Sequence, residues 1–174
     1  MDYKEQFEFM VVNPDKVDDV EVLISKIRAN EDKYKEVEKL TNVPWHVVAV
    51  IHYRESSFNF NTHLHNGDPL KARTVHVPAG RPLGGTPPYT WVESAIDAMK
   101  IKSYHTCKDW SIENTLNLIE RYNGLGYKKK GLPSPYLWAW SSVYKAGKYV
   151  ADGKFDSHFV DKQCGAAVLL KMLT

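Results

Sequence analysis

Val43-Pro-Trp-His-Val-Val-Ala-Val-Ile-His-Tyr-Arg-Glu55-Ser-Ser-Phe-Asn-Phe-Asn-Thr-His-Leu-His-Asn-Gly-Asp68 decides the reading of this chain. It begins as an apolar run and turns polar at a carboxylate. Asn42 is the expected N-cap, and Pro44 falls in the first helical turn, where a missing N–H costs nothing. Val47, Val48, Ala49, Val50 and Ile51 leave almost no polar face, the pattern of a buried central helix. Glu55 then leaves the last turn at the wall of whatever opening the polar loop makes. Partial desolvation there raises a carboxyl pKa, which suits a general acid near neutral pH. The competing reading is a surface glutamate paired with Arg54 or Lys71.

Outward from this stretch, apolar residues at Val20, Leu23, Ile24, Ile27, Tyr34 and Val37 give helical period from about Asp18 to Leu40, broken near Ala29-Asn30. Residues 1–15 read as an arm closed by Asn13-Pro14. Residues 56–89 are rich in Asn, Gly and Pro, with Arg73-Thr-Val-His-Val77 as a short strand. A segment this long without regular structure is functional or disordered. It is expected to form a small β-hairpin or irregular lobe beside a cleft. Thr90-Trp-Val-Glu93 reads as a capping box opening a helix to about Tyr104, which gives Glu93 a structural role. Ser111 opens another helix that stops at Asn123-Gly124. An aromatic and basic loop follows to Trp140, then a short helix from about Ala139 to Tyr149. After Asp152-Gly153 and a cap at Asp156 comes a final helix from about Phe159 to Leu173. The fold class is mainly α: a central buried helix, a small lobe and a helical lobe.

The chain of 174 residues fits one domain. Its 43% hydrophobic and 25% charged content is that of a soluble globular protein. A net charge of +2 argues against nucleic acid as a partner and is compatible with an anionic polymer. Cys107 and Cys164 make neither a disulfide framework nor a thiolate metal site and are expected to be reduced. No apolar run approaches a membrane span, so no membrane insertion is expected, and the start lacks the pattern of a signal peptide. The expectation is a monomer made in the cytoplasm and released by holin-type export or lysis.

Glu55-Ser-Ser-Phe-Asn59 resembles the Glu-Ser motif ending the catalytic helix of lytic transglycosylases and goose-type lysozymes. Arg121-Tyr-Asn-Gly-Leu-Gly126 resembles their later Ala-Tyr-Asn-Ala-Gly motif. The longer stretches Tyr53 to Leu70 and Tyr122 to Trp138 are similar to those of phage endolysins. The resemblance covers roughly residues 42 to 140. It implies a lysozyme-like α+β fold and cleavage of the peptidoglycan glycan strand. Glu55 would be the general acid between N-acetylmuramic acid and N-acetylglucosamine, with Ser56, Tyr122 and Asn123 lining the site. Those families follow the glutamate with a Gly-Leu-Met-Gln stretch. This chain has Thr62-His-Leu-His-Asn-Gly-Asp68 instead, so the contacts made there do not carry over.

Asp68 is the provisional second carboxylate. A separation of about 6.5–9.5 Å from Glu55 would allow an inverting hydrolysis and about 5–5.5 Å a retaining one. With neither, the sugar's own 6-hydroxyl would attack, as in a lytic transglycosylase. The turn Asn-Gly-Asp-Pro offers Asp68 a bracing role as well; Asp97 is a weaker candidate. His63 and His65 are read as sugar-binding or loop-bracing, and a metal site with Asp68 is the outside case; no metal or other cofactor is expected. Tyr53, Tyr127, Tyr136, Trp138 and Trp140 carry rings able to stack on pyranose faces or to pack in the core. The alternative of another class is a wall- or chitin-binding domain without turnover.

Overall fold

The structure, a computed structural model, describes residues 2–174. Among these residues the chain is mainly helical with one two-stranded sheet. It divides into two compact units, one made of residues up to Ala29 with Asp109–Thr174 and the other of Asn30–Lys108. Among the described residues no helix is long and apolar enough to cross a membrane.

In the unit formed by Asn30–Lys108, α3 (Glu31–Thr41) and α5 (Trp91–Ile101) are amphipathic, and α3 packs against both α4 (Trp45–Ser56) and α5. Helix α4 is buried without a break from Val47 to Arg54, as the apolar run predicts. Asn42 does not cap it. Asn42 sits at φ 59° and ends α3, its N–H donating to the Glu38 carbonyl, while Pro44 occupies the N-cap of α4. Asparagine tolerates the left-handed conformation better than other non-glycine residues, which suits it to close a helix as well as to open one. The capping box forms as expected: Thr90 Oγ1 accepts the Glu93 N–H, and Glu93 Oε2 accepts the Thr90 N–H at 2.7 Å.

Between α4 and α5 the chain is irregular. The expected strand at Arg73–Val77 is absent; an isolated bridge between Thr62 and Pro69 is the only pairing described there. The N–H groups of Val75 and His76 go to the Asp68 carboxylate instead of to a neighbouring strand. Leu64, Leu70, Pro82 and Tyr89 supply apolar anchors, too few to order so long a segment by burial alone.

The other unit contains α1 (Tyr3–Phe9), α2 (Val17–Ala29), α6 (Ile112–Asn123), the single turns α7 (Gly126–Lys129) and α8 (Pro135–Trp138), strands β1 (Lys148–Ala151) and β2 (Lys154–Asp156), and α9 (Ala166–Leu173). The expected N-terminal arm is partly helical. Asp2 caps α1, and Lys171 Nζ donates to the carbonyls of Phe7, Glu8 and Met10 at the helix end. The helix expected over Ala139–Tyr149 is replaced by a turn and β1, and the final helix begins at Ala166 rather than Phe159. Asp152-Gly153, with Gly153 at φ +67°, is the tight connection of an antiparallel hairpin. Helices α8 and α9 approach so closely that Gly165 donates its N–H to the Ala139 carbonyl at 2.9 Å.

Candidate functional site

Glu55 stands in the last turn of α4, directly after the buried run, and is exposed. The desolvation expected for a carboxyl in the wall of an opening is therefore not supplied by the folded chain itself. What the chain supplies is position. One turn earlier, His52 is wholly buried; its Nδ1 meets the Tyr34 hydroxyl at 3.1 Å and its Nε2 the Asn59 carbonyl at 3.1 Å. A carbonyl accepts only, so Nε2 carries the proton and Tyr34 donates to Nδ1. Burial pushes this imidazole down to about 4, so it is neutral at neutral pH. Trp91 and Phe60 pack their rings on it at centroid distances of 4.5 and 4.6 Å.

The His52–Asn59 bond fastens the chain reversal that follows Glu55. Ser57 and Phe58 both adopt positive φ, 51° and 66°, conformations uncommon outside glycine. Ser56 Oγ donates back to the His52 carbonyl, and Asn59 Oδ1 accepts the Asn61 N–H in an Asx turn. The catalytic candidate is thus flanked by a buried, hydrogen-bonded anchor on one side and a fixed reversal on the other.

Asp68 lies in the same unit with its carboxylate committed to the loop. Oδ2 accepts the N–H groups of Val75 and His76 at 2.8 and 3.0 Å, and Oδ1 accepts His76 Nδ1 at 2.6 Å. The His76 imidazole, followed by these backbone donors, holds its carboxyl down at about 2. Of the two roles the sequence leaves open for Asp68, the geometry displays the brace.

His63 and His65 are braces as well. His63 Nε2 donates to the Ala72 carbonyl and Nδ1 accepts from Ser94 Oγ, both at 2.8 Å. His65 Nε2 donates to Asp97 at 2.6 Å, and Arg81 grips both Asp97 oxygens at 2.9 and 2.7 Å. Burial, the largest influence, lowers the His65 pKa against the pull of Asp97, so the ring is neutral. Ser94, His65 and Asp97 follow the order of a nucleophile–base–acid relay, but the geometry forbids that chemistry. Ser94 is fully buried, its oxygen accepts the Leu64 N–H, and its proton goes to the nearer His63, with His65 Nδ1 at 3.3 Å. Among the described residues no group of three His, Cys, Asp or Glu converges to hold a metal.

The remaining candidates belong to the other unit. Tyr122 is half-buried and Asn123 exposed at the end of α6. Tyr127, Tyr136 and Trp138 are buried, and the Tyr127 hydroxyl accepts the Tyr149 N–H at 2.8 Å. These three rings pack rather than face solvent; Trp140 is half-buried with Lys16 Nζ 5.2 Å from its ring centre. Cys107 and Cys164 form no disulfide. Sequence reasoning missed Ser94, Arg81 and the structural use of Asp97. The signal was present for two of them, since Ser94 and Asp97 lie three apart on α5, on a helix whose inward residues are Trp91, Ala95, Ala98 and Met99. No protein-family model, curated protein or solved structure matches this chain.

Proposed function

We propose that this chain cleaves the glycan strand of bacterial peptidoglycan, with Glu55 as the general acid that protonates the departing glycosidic oxygen. The observation that carries the reading is a carboxyl-bearing residue in the last turn of a helix buried without a break, next to a reversal fixed by a neutral buried histidine. A general acid must be held in one place relative to the bond it breaks, and rigid elements do this better than loops. Because Glu55 is exposed, the bound glycan itself would supply the desolvation that keeps the proton on the carboxyl. The similarity of Glu55-Ser-Ser-Phe-Asn59 to the catalytic motif of lytic transglycosylases and goose-type lysozymes supports the same assignment.

One observation favours a second reading within this chemistry. With both Asp68 oxygens engaged in the loop, a mechanism needing no second carboxylate is the simpler one. In a lytic transglycosylase the 6-hydroxyl of the muramic acid residue attacks its own anomeric carbon and leaves an anhydro end; in a hydrolase water attacks and leaves a reducing end. Glu55→Gln tests both. The substitution should lower clearance of a purified wall suspension by at least about 100-fold, within the range general acid catalysis spans, while the protein still sediments with the wall. Unchanged clearance by Glu55→Gln would overturn the proposal.

A further inference from the structure

In the unit formed by Asn30–Lys108, the chain from Thr74 to Arg81 closes into a loop. At its base the Thr74 N–H donates to the Arg81 carbonyl at 2.8 Å, and Thr74 Oγ1 accepts the Arg81 N–H at 2.9 Å. Asp68 fixes one flank through the N–H groups of Val75 and His76, and Asn66 Nδ2 donates to the His76 carbonyl at 3.0 Å. The Gly80 N–H goes to the Thr74 carbonyl, and Pro78 has no N–H to satisfy. Polar bonds therefore hold the loop in shape, and much of its backbone hydrogen-bonding capacity is spent inside the protein. Its outward side chains are apolar. Val77 is 89% exposed, the highest value for a large apolar side chain among the described residues. Val75 is 75% exposed, and Leu83, two residues past the base, is 71% exposed.

Charge selects what would cover these side chains. No Asp or Glu occurs between Asp68 and Glu93, whereas Lys71, Arg73 and Arg81 do. Asp68 is engaged by His76, Arg81 by Asp97, and Glu93 by the capping box. Lys71 and Arg73 have no carboxylate partner among the described residues, so the stem of the loop is positive. Two copies meeting at this tip would bring like charges together. A protein groove is ordinarily filled by aromatic or arginine anchors, among which valine and leucine are under-represented. A glycan gains from exposed aromatic faces, and Tyr89 and Trp91 are buried. Short aliphatic side chains beside cations, on backbone already largely bonded, suit the boundary between lipid headgroups and acyl chains. We propose that the Thr74–Arg81 loop is a docking surface for a bilayer carrying anionic lipid, with Val75 and Val77 entering the boundary and Lys71 and Arg73 facing the headgroups. The contact lies on the bilayer and does not cross it. It does not depend on the role of Glu55.

The test is flotation of the full chain with vesicles of phosphatidylcholine alone and of equal parts phosphatidylcholine and phosphatidylglycerol, for wild type, Val77→Asp, Val77→Trp and Lys71→Gln. Wild type should bind the anionic vesicles about tenfold or more tighter than the neutral ones, and less tightly as salt is raised. Val77→Asp should weaken this about tenfold or more at unchanged Tm, because the side chain touches little of the protein. Lys71→Gln should weaken it several-fold and narrow the preference for anionic lipid. The emission of Val77→Trp, less that of wild type, should move to shorter wavelength on adding anionic vesicles, as an indole leaving water does. No flotation with anionic vesicles, equal flotation with neutral ones, binding indifferent to Val77→Asp, or no emission shift would each overturn the proposal. Dimerisation or wall binding abolished by Val77→Asp would assign the tip to a second copy or to the polymer, and would overturn it as well.

Discussion

At the scale of single residues, His52 and Glu55 stand three apart on α4, one sealed in and one open to solvent. The sealed one makes a pH prediction. Its folded pKa of about 4 lies below the roughly 6.5 of an unfolded histidine, so the unfolded chain binds the extra proton between those values. The contribution of His52 is therefore complete above about pH 6.5 and is lost as pH falls toward 4, by about 3 kcal/mol in all. Burial shifts His65 in the same direction, with the same sign. Urea denaturation across pH 4 to 7 should show stability rising with pH, and His52→Gln should flatten the slope; an unchanged slope in the variant would show that another group carries it. Ser94→Ala makes a second prediction. It removes the hydroxyl that joins the Leu64 N–H and His63 Nδ1 in a buried site, so it should cost about 2–3 kcal/mol by the same assay. A cost under about 0.5 kcal/mol would mean the hydroxyl does not join the two. The place of Glu55 at the end of a buried helix was legible in the sequence because a long apolar run leads up to it. The pairs His63–Ser94, Arg81–Asp97 and Asp68–His76 were not, because residues joined across an irregular loop obey no period.

Among elements, local signals read true and distant ones did not. Thr90-Trp-Val-Glu93 carries its own hydrogen-bond partners within one turn, and the break at Asn30 interrupts a helical period, so both were readable. Asn42 was misassigned because the same side chain opens one helix and closes another, and only the geometry of the connection decides. The hairpin was missed although its Asp152-Gly153 turn is among the strongest short-range signals, because the aromatic residues before it also fit a helix. Packing between elements leaves no mark on periodicity at all. Gly165 is the instance: a Cβ there would lie 2.2 Å from the Leu137 carbonyl oxygen and 2.7 Å from the Ala139 nitrogen. Both are backbone atoms and cannot swing aside. Gly165→Ala should therefore destabilise by about 3 kcal/mol or more and lower Tm by roughly 6–12 °C. A loss under about 1 kcal/mol would mean that α8 and α9 can separate without penalty.

For the whole molecule, the succession of helical periods and cap signals pointed to a mainly helical chain, and that much the structure bears out. The segment between α4 and α5 was readable as irregular from its Asn, Gly and Pro content. How it is ordered was not, because it is fastened by buried polar pairs rather than by a continuous apolar face. The same organisation separates scaffold from chemistry. Asp68, His63, His65, Asp97 and Arg81 hold the segment, and the proposed general acid, Glu55, is exposed at the end of α4. Glu55→Gln should shift Tm by no more than about 2 °C, as an exposed substitution does. The direct measurement is mass spectrometry of the soluble fragments released from purified peptidoglycan by wild type and by Glu55→Gln. The account predicts muropeptides with reducing or anhydro-muramic ends from wild type and none from the variant. The same fragments from both proteins, or none from a wild type that binds the wall, would contradict it.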